Sequence, residues 1–288
     1  MFISRCTLAS DLTGRGDIKW QRTDQVNPGY SDRGSDFIYV LGGEVRLKGR
    51  PFERSRAEIR LGAETRLYSK FGRNNNQRYF AGLRSSAART SLRLKYEFIP
   101  RRLYFPSSEG DATYSRNLLK IELSQEFLED WEVSLGYEVR WEDFIQMHDR
   151  RDNRTNIAET QLEYGLSRLL RPSIAFEWRN RNAENDNYDY TSQRIAFSLK
   201  SHPTQRLGLR LGYDVGDRRY LTPHMRDSNH RRIDARTGLS AEGRITLLKM
   251  LELILGYERR EKDSSREEEE RSYTVNTFSV GARLKLEP

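Results

Sequence analysis

No stretch of this sequence is apolar for long enough to cross a membrane as a helix, which takes about 18–20 residues. The longest candidate, Leu247 to Leu255, is broken by Lys249 and Glu252. A helical membrane protein is therefore excluded. A single cysteine, Cys6, excludes an intrachain disulfide. The opening residues, MFISRCTLASDLTG, lack the apolar core of a secretory signal, and Arg5 stands before Cys6 where a lipoprotein signal carries a small residue. Four histidines, His148, His202, His224 and His230, leave little material for histidine-based chemistry.

What is present is charge and aromaticity together. The chain is 36% hydrophobic and 32% charged, with a mean hydropathy of −0.85, yet 11% of it is aromatic, which argues against a disordered chain. The two facts agree if apolar residues recur at every second position, because a half-buried strand needs only alternate residues to be apolar. The net charge of +8 arises from 50 basic and 42 acidic residues interspersed along the whole length. That mixture is not a phosphate-binding stripe, so nucleic acid is not an expected partner.

The alternation is explicit. Leu207, Leu209, Leu211, Tyr213 and Val215 share one face, with Gly208, Arg210, Gly212, Asp214 and Gly216 on the other. Trp131, Val133, Leu135, Tyr137, Val139 and Trp141 oppose Glu132, Ser134, Gly136, Glu138, Arg140 and Glu142. Such period-2 runs are strands. The same template predicts strands near 14–24, 36–48, 57–70, 78–86, 89–98, 115–127, 131–144, 155–166, 172–182, 190–200, 205–216, 231–244, 248–260 and 271–286.

Short connections are expected at Gly49–Arg56, Ser86–Arg89, Leu128–Asp130, Ser167–Arg171, Ser201–Thr204 and Ile245–Leu247, and they alternate with longer polar ones. That asymmetry, with strands suited to a tilted membrane crossing, predicts an all-β, antiparallel, up-and-down transmembrane β-barrel of about fourteen strands over 14–288. Short turns would lie on the periplasmic side. Residues 1–13 are expected to be a periplasmic tail or the stump of a missing region. Aromatics near strand ends (Phe71, Phe98, Trp131, Trp141, Phe144, Tyr190 and Tyr273) suit interfacial girdles.

On these features the chain resembles bacterial outer-membrane β-barrels of the porin type. Its end, from Ser279 through Gly281 to Leu284 and Leu286, is similar to the β-signal of such proteins: polar, any, Gly, any, any, hydrophobic, any, hydrophobic. The resemblance implies an outer-membrane location and recognition of the last strand by the barrel-assembly machinery. The chain departs from the pattern by ending in Glu287 and Pro288 rather than Phe. Barrel enzymes of this architecture are phospholipases, deacylases or aspartate–histidine proteases. No serine near a histidine stands in such a motif here, and Asp227 with His230, or the run Glu267–Glu270, reads as solvated loop. No enzyme activity, cofactor or metal is expected.

The inward face carries the functional signal. Parity assigns to it Arg46, Arg60, Arg66 and Arg93 in the first third of the chain, then Glu138 with Arg140, Glu177 with Arg179, and Arg194. Arg210 with Asp214, Arg232 with Arg236, Glu258 and Arg283 complete the set. An Arg or Lys facing lipid at mid-depth costs roughly 2–4 kcal/mol, so this face must turn to the lumen. Strands 131–144 and 155–166 lean acidic, and strands 190–200, 205–216, 231–244 and 271–286 lean basic, which places a transverse field across the lumen. Either the charges line a water-filled pore for small hydrophilic, mildly anionic solutes, or they pair across the lumen and close it. The alternative function is a barrel module of a larger export or assembly protein whose periplasmic domain lies outside this chain.

Overall fold

The computed structural model describes residues 11–24, 35–50, 55–105, 112–144, 151–167, 169–185, 188–222, 231–265 and 272–286. Fourteen strands account for nearly all of them. They are β1 (Asp11–Thr23), β2 (Asp36–Gly49), β3 (Ser55–Tyr68), β4 (Asn76–Ala87), β5 (Thr90–Phe105), β6 (Ala112–Phe127) and β7 (Trp131–Phe144). The second half comprises β8 (Asn153–Tyr164), β9 (Leu170–Ala183), β10 (Tyr190–Thr204), β11 (Leu207–Tyr220), β12 (Ile233–Leu248), β13 (Leu251–Ser264) and β14 (Tyr273–Leu286). Each strand pairs antiparallel with its sequence neighbours, and β1 closes on β14, from Gly14 opposite Leu286 to Thr23 opposite Thr277. Closure leaves no unpaired edge, the condition for placing strands in hydrocarbon.

The outward face is apolar. Leu41, Val45, Leu61, Leu135, Leu211 and Leu239 are among the large hydrophobic residues left exposed, and in a bilayer they meet lipid. Tyrosines cap this band on the long-loop side through a repeated device. Tyr96, Tyr137 and Tyr257 each donate their hydroxyl hydrogen to an asparagine on the next strand, Asn117 at 2.7 Å, Asn156 at 3.0 Å and Asn276 at 3.0 Å. An amphipathic ring with a satisfied polar tip suits the membrane–water boundary. Beyond the belt the outward face turns charged, with Arg219, Arg259 and Glu261. At the opposite edge Phe127, Trp131 and Tyr164 stack, with Trp131 and Tyr164 4.6 Å apart, as the second girdle.

Three of the expected girdle aromatics do not belong there. Phe144, Tyr190 and Tyr273 fall on the inward parity, and Phe144 and Tyr190 are buried inside the barrel mouth. Two turns are also displaced. The β10–β11 turn lies at Gln205 and Arg206, not at 201–204, because Pro203 sits in a bulge that lets the strand run on to Thr204. Proline lacks a ladder donor, and a bulge is where a strand tolerates it. The β12–β13 turn lies at Lys249 and Met250 rather than 245–247, since a bulge between Thr246 and Leu248 shifts the alternation by one. The first strand begins at Asp11, three residues before the expected boundary. At two short turns Ala88 and Leu128 adopt the left-handed backbone, with φ of 50° and 55°.

Candidate functional site: the charged wall

All fifteen charged residues assigned by parity fall on the inward side of their strands, and most of them are held in ion pairs. Along single strands carboxylates alternate with arginines at a spacing of two, so each pair lies side by side on the wall. Glu44 with Arg46, Glu58 with Arg60, Glu64 with Arg66 (2.9 Å), Glu138 with Arg140 (2.6 Å) and Glu177 with Arg179 (2.8 Å) all follow this rule, as do Glu258 and Arg260 (2.5 Å). Adjacent strands add Arg93–Glu122 at 2.8 Å, Arg194–Asp214 at 2.9 Å and Arg283 between Asp17 and Glu252. Glu97, 3% exposed, gathers Lys95, Arg78 and Arg116 around it.

One of the longer reaches depends on a glycine. Lys120 on β6 reaches Glu159 on β8 at 2.8 Å by passing over Gly136 of the intervening strand, whose missing side chain leaves the lysine chain 3.4 Å from where a Cβ would be. Lys200 on β10 also reaches Glu163 on β8, at 2.6 Å, across Arg171 and Ser173 of β9. Among the described residues every ion pair joins groups on one strand or on strands at most two apart, and none bridges the lumen. The carboxylates of the supposed acidic wall are taken locally, Glu138 by Arg140, Glu159 by Lys120 and Glu163 by Lys200, so the transverse field is largely neutralised strand by strand. Among the described residues no ion pair closes the lumen as a cross-lumen plug.

Two of the cavities along this wall, each of about 260 Å³, lie at β2–β5 and around the β1–β14 seam. One runs between Arg60, Phe80, Arg84, Arg93 and Lys95, the other between Asp17, Lys19, Glu64, Glu242 and Arg283. The interior differs along its axis. Buried inward groups concentrate toward the long loops, among them Tyr114, Leu118, Phe144, Ile157, Tyr190 and Asp234, and here the barrel mouth is packed. Asp36, 1% exposed, anchors one outer connection by accepting hydrogen bonds from the Lys70 and Phe71 amides and from Ser69 Oγ. This packed mouth was not legible from alternation, which gives the face of a residue and not its depth or its neighbours.

On the last strand Ser279 and Gly281 face inward and Leu284 and Leu286 outward, the leucines 43% and 51% exposed. A Cβ on Gly281 would lie 3.0 Å from the Ile18 carbonyl oxygen across the closing seam, so glycine suits the tight junction with β1. His202 lies at the bulged end of β10 beside Gly208, a structural position. His148, His224, His230, Asp227 and Glu267–Glu270 lie outside the described residues.

A search of curated proteins by sequence finds no match. The fold is similar to that of solved outer-membrane channels at low identity. An anion-selective porin from Comamonas acidovorans is 9% identical, with 97% of this chain and 100% of that one covered and a TM-score of 0.55. In vitro folded OmpT, an outer-membrane protein of Vibrio cholerae, is 10% identical over 98% and 99% with a TM-score of 0.55. The outer-membrane channel DcaP of Acinetobacter baumannii is 13% identical over 99% of both chains, with a TM-score of 0.51. These likenesses concern architecture. The family model for the surface lipoprotein assembly modifier matches residues 55–242, from the start of β3 into β12 and well over half of the chain. The chain is an outer-membrane β-barrel that belongs to the surface lipoprotein assembly modifier family.

Proposed function

We propose that this barrel serves the assembly of lipoproteins at the cell surface, working with a periplasmic domain or partner that acts on the same passenger. The observation that carries this reading is the family match across ten strands of a barrel whose ion pairs lie along the wall and leave no bridge through its lumen. The inward Arg and Glu residues named above then form a polar surface that a hydrophilic segment can pass without dehydration. Ser279, Gly281, Leu284 and Leu286 act as the signal by which the barrel-assembly machinery inserts it.

The test is the surface display of lipoproteins in cells lacking the gene, followed by protease shaving of intact cells. Lipoproteins that stay inside in the deletion strain, and return to the surface on complementation, support the reading. Unchanged surface display together with reduced uptake of small hydrophilic solutes refutes it and favours a second reading, a porin-like channel with mild anion preference. That alternative draws on Arg210 and Arg236, inward cations that have no carboxylate partner among the described residues.

A further inference from the structure

Among the described residues the loop-side mouth holds more cation than it pairs. Strands β9 to β12 bring Arg179, Arg218 and Asp234 onto one register row through Ser192, and Arg181, Tyr190 and Tyr220 onto the next row outward. Arg236 stands on the row below, between Gly216 and Lys262. The carboxylates here are already occupied. Asp234, wholly buried, takes Arg232 at 2.7 Å and Lys262 at 3.3 Å; Glu177 takes Arg179 at 2.8 Å; Glu142 lies 3.8 Å from Arg181.

Neither Arg218 nor Arg236 forms an ion pair among the described residues, although the register sets Arg218 opposite Asp234, whose carboxylate is already held by Arg232 and Lys262. Arg218 lies 4.0 Å over the Tyr190 ring and has only the Tyr220 hydroxyl, at 3.5 Å, as a side-chain partner. Arg236 lies within electrostatic reach of Arg218 and of Tyr190, Tyr220 and Tyr273. The Nε atoms of Arg179, Arg181, Arg218 and Arg236 are all shielded from solvent and bonded to nothing. An unpaired buried cation is costly, and repulsion between neighbouring guanidiniums adds to that cost. An anion is what such a constellation lacks. Guanidinium forks match tetrahedral oxyanions in two-point geometry. The row lies five residues beyond Tyr213 of the outward face, on the loop side of the lipid band.

We infer that Arg218 and Arg236, supported by Arg179 and Arg181, form a binding site for a phosphate-class oxyanion in the outer mouth of the barrel. This stands apart from the proposed role in assembly, since it requires only the folded barrel. Purified, folded barrel in a chloride buffer should gain several degrees in unfolding temperature on titration with inorganic phosphate at constant ionic strength, and the gain should saturate. Arg218→Gln with Arg236→Gln should abolish the gain, and Arg206→Gln, in the exposed β10–β11 turn, should preserve it. Glycerol phosphate titrated in parallel distinguishes the source: a stronger response to the monoester assigns the site to an esterified phosphate, a stronger response to the inorganic ion to the free anion. No saturable response of the wild type to either overturns the inference without recourse to any variant. So does an equal response from the double variant, whose folding is checked by its heat-dependent shift on a denaturing gel.

Discussion

At the residue scale the decisive property is which of two faces a side chain occupies, because the two solvents differ so strongly in what they tolerate. Leu211 stands at the middle of the outward run Leu207–Val215 and is 54% exposed toward lipid. Leu211→Arg should lower folding stability in bilayers by roughly 2–4 kcal/mol. Leu209→Arg, nearer the turn, should cost less because the side chain can reach the interface. Gly208→Arg turns inward, where a Cβ meets only ordinary contacts with His202 and Arg244, and should be nearly neutral. Urea titrations of folding into vesicles would rank the three; equal losses at Leu211 and Gly208 would contradict the assignment of faces. A second residue-scale prediction concerns Gly62. A Cβ there would fall 2.2 Å from Phe80 Cζ and 2.7 Å from the Gly43 carbonyl oxygen. Gly62→Ala should destabilise by about 1–3 kcal/mol. Phe80→Ala should restore only part of that loss, because the backbone oxygen remains. Full restoration in the double variant would show that the ring alone sets the constraint.

The strands themselves were largely legible, and the reason lies in the lipid. A membrane strand has one face in hydrocarbon and one in water, so its alternation is unusually strict, and β7 coincides with its expected span Trp131–Phe144. Errors arose where the period breaks. Pro203 looked like a turn and proved to be a bulge, and the shift at Thr246 to Leu248 hid the true end of β12. The corrected turns sharpen a test of orientation. With Cys6 replaced by Ser, Gln205→Cys should resist an impermeant thiol reagent on intact cells. Leu221→Cys, at the long-loop end of β11, should react. The reverse pattern would place the short turns outside the cell.

For the whole molecule the question is what passes the lumen. On the porin-like reading, Arg210 and Arg236, which form no ion pair among the described residues, would set selectivity. In planar bilayers a porin-like barrel should show discrete conductance steps with anion preference. Arg210→Glu combined with Arg236→Glu should move the reversal potential toward cations, most strongly at low salt where screening is weak. A wild type that stays silent, because the packed mouth blocks ions, would speak against free diffusion and leave the assembly role as the working account.

The sequence by itself determined the barrel: the strand number, the inward and outward faces, and the side on which the connections are short. Each follows from a local rule, since the period of a strand and the chemistry of a turn are set within a few residues. The tertiary structure alone decided who meets whom. Parity assigned Arg236 to the inward face but made no assignment for Arg218, and only the register of β9 to β12 brings these two arginines together with Tyr190. It likewise turned Phe144 and Tyr190 into the mouth rather than the girdle, and drew Lys120 to Glu159 across Gly136. Pairing between strands depends on stagger around a closed barrel, a constraint that spans the whole chain and leaves no trace within any one strand.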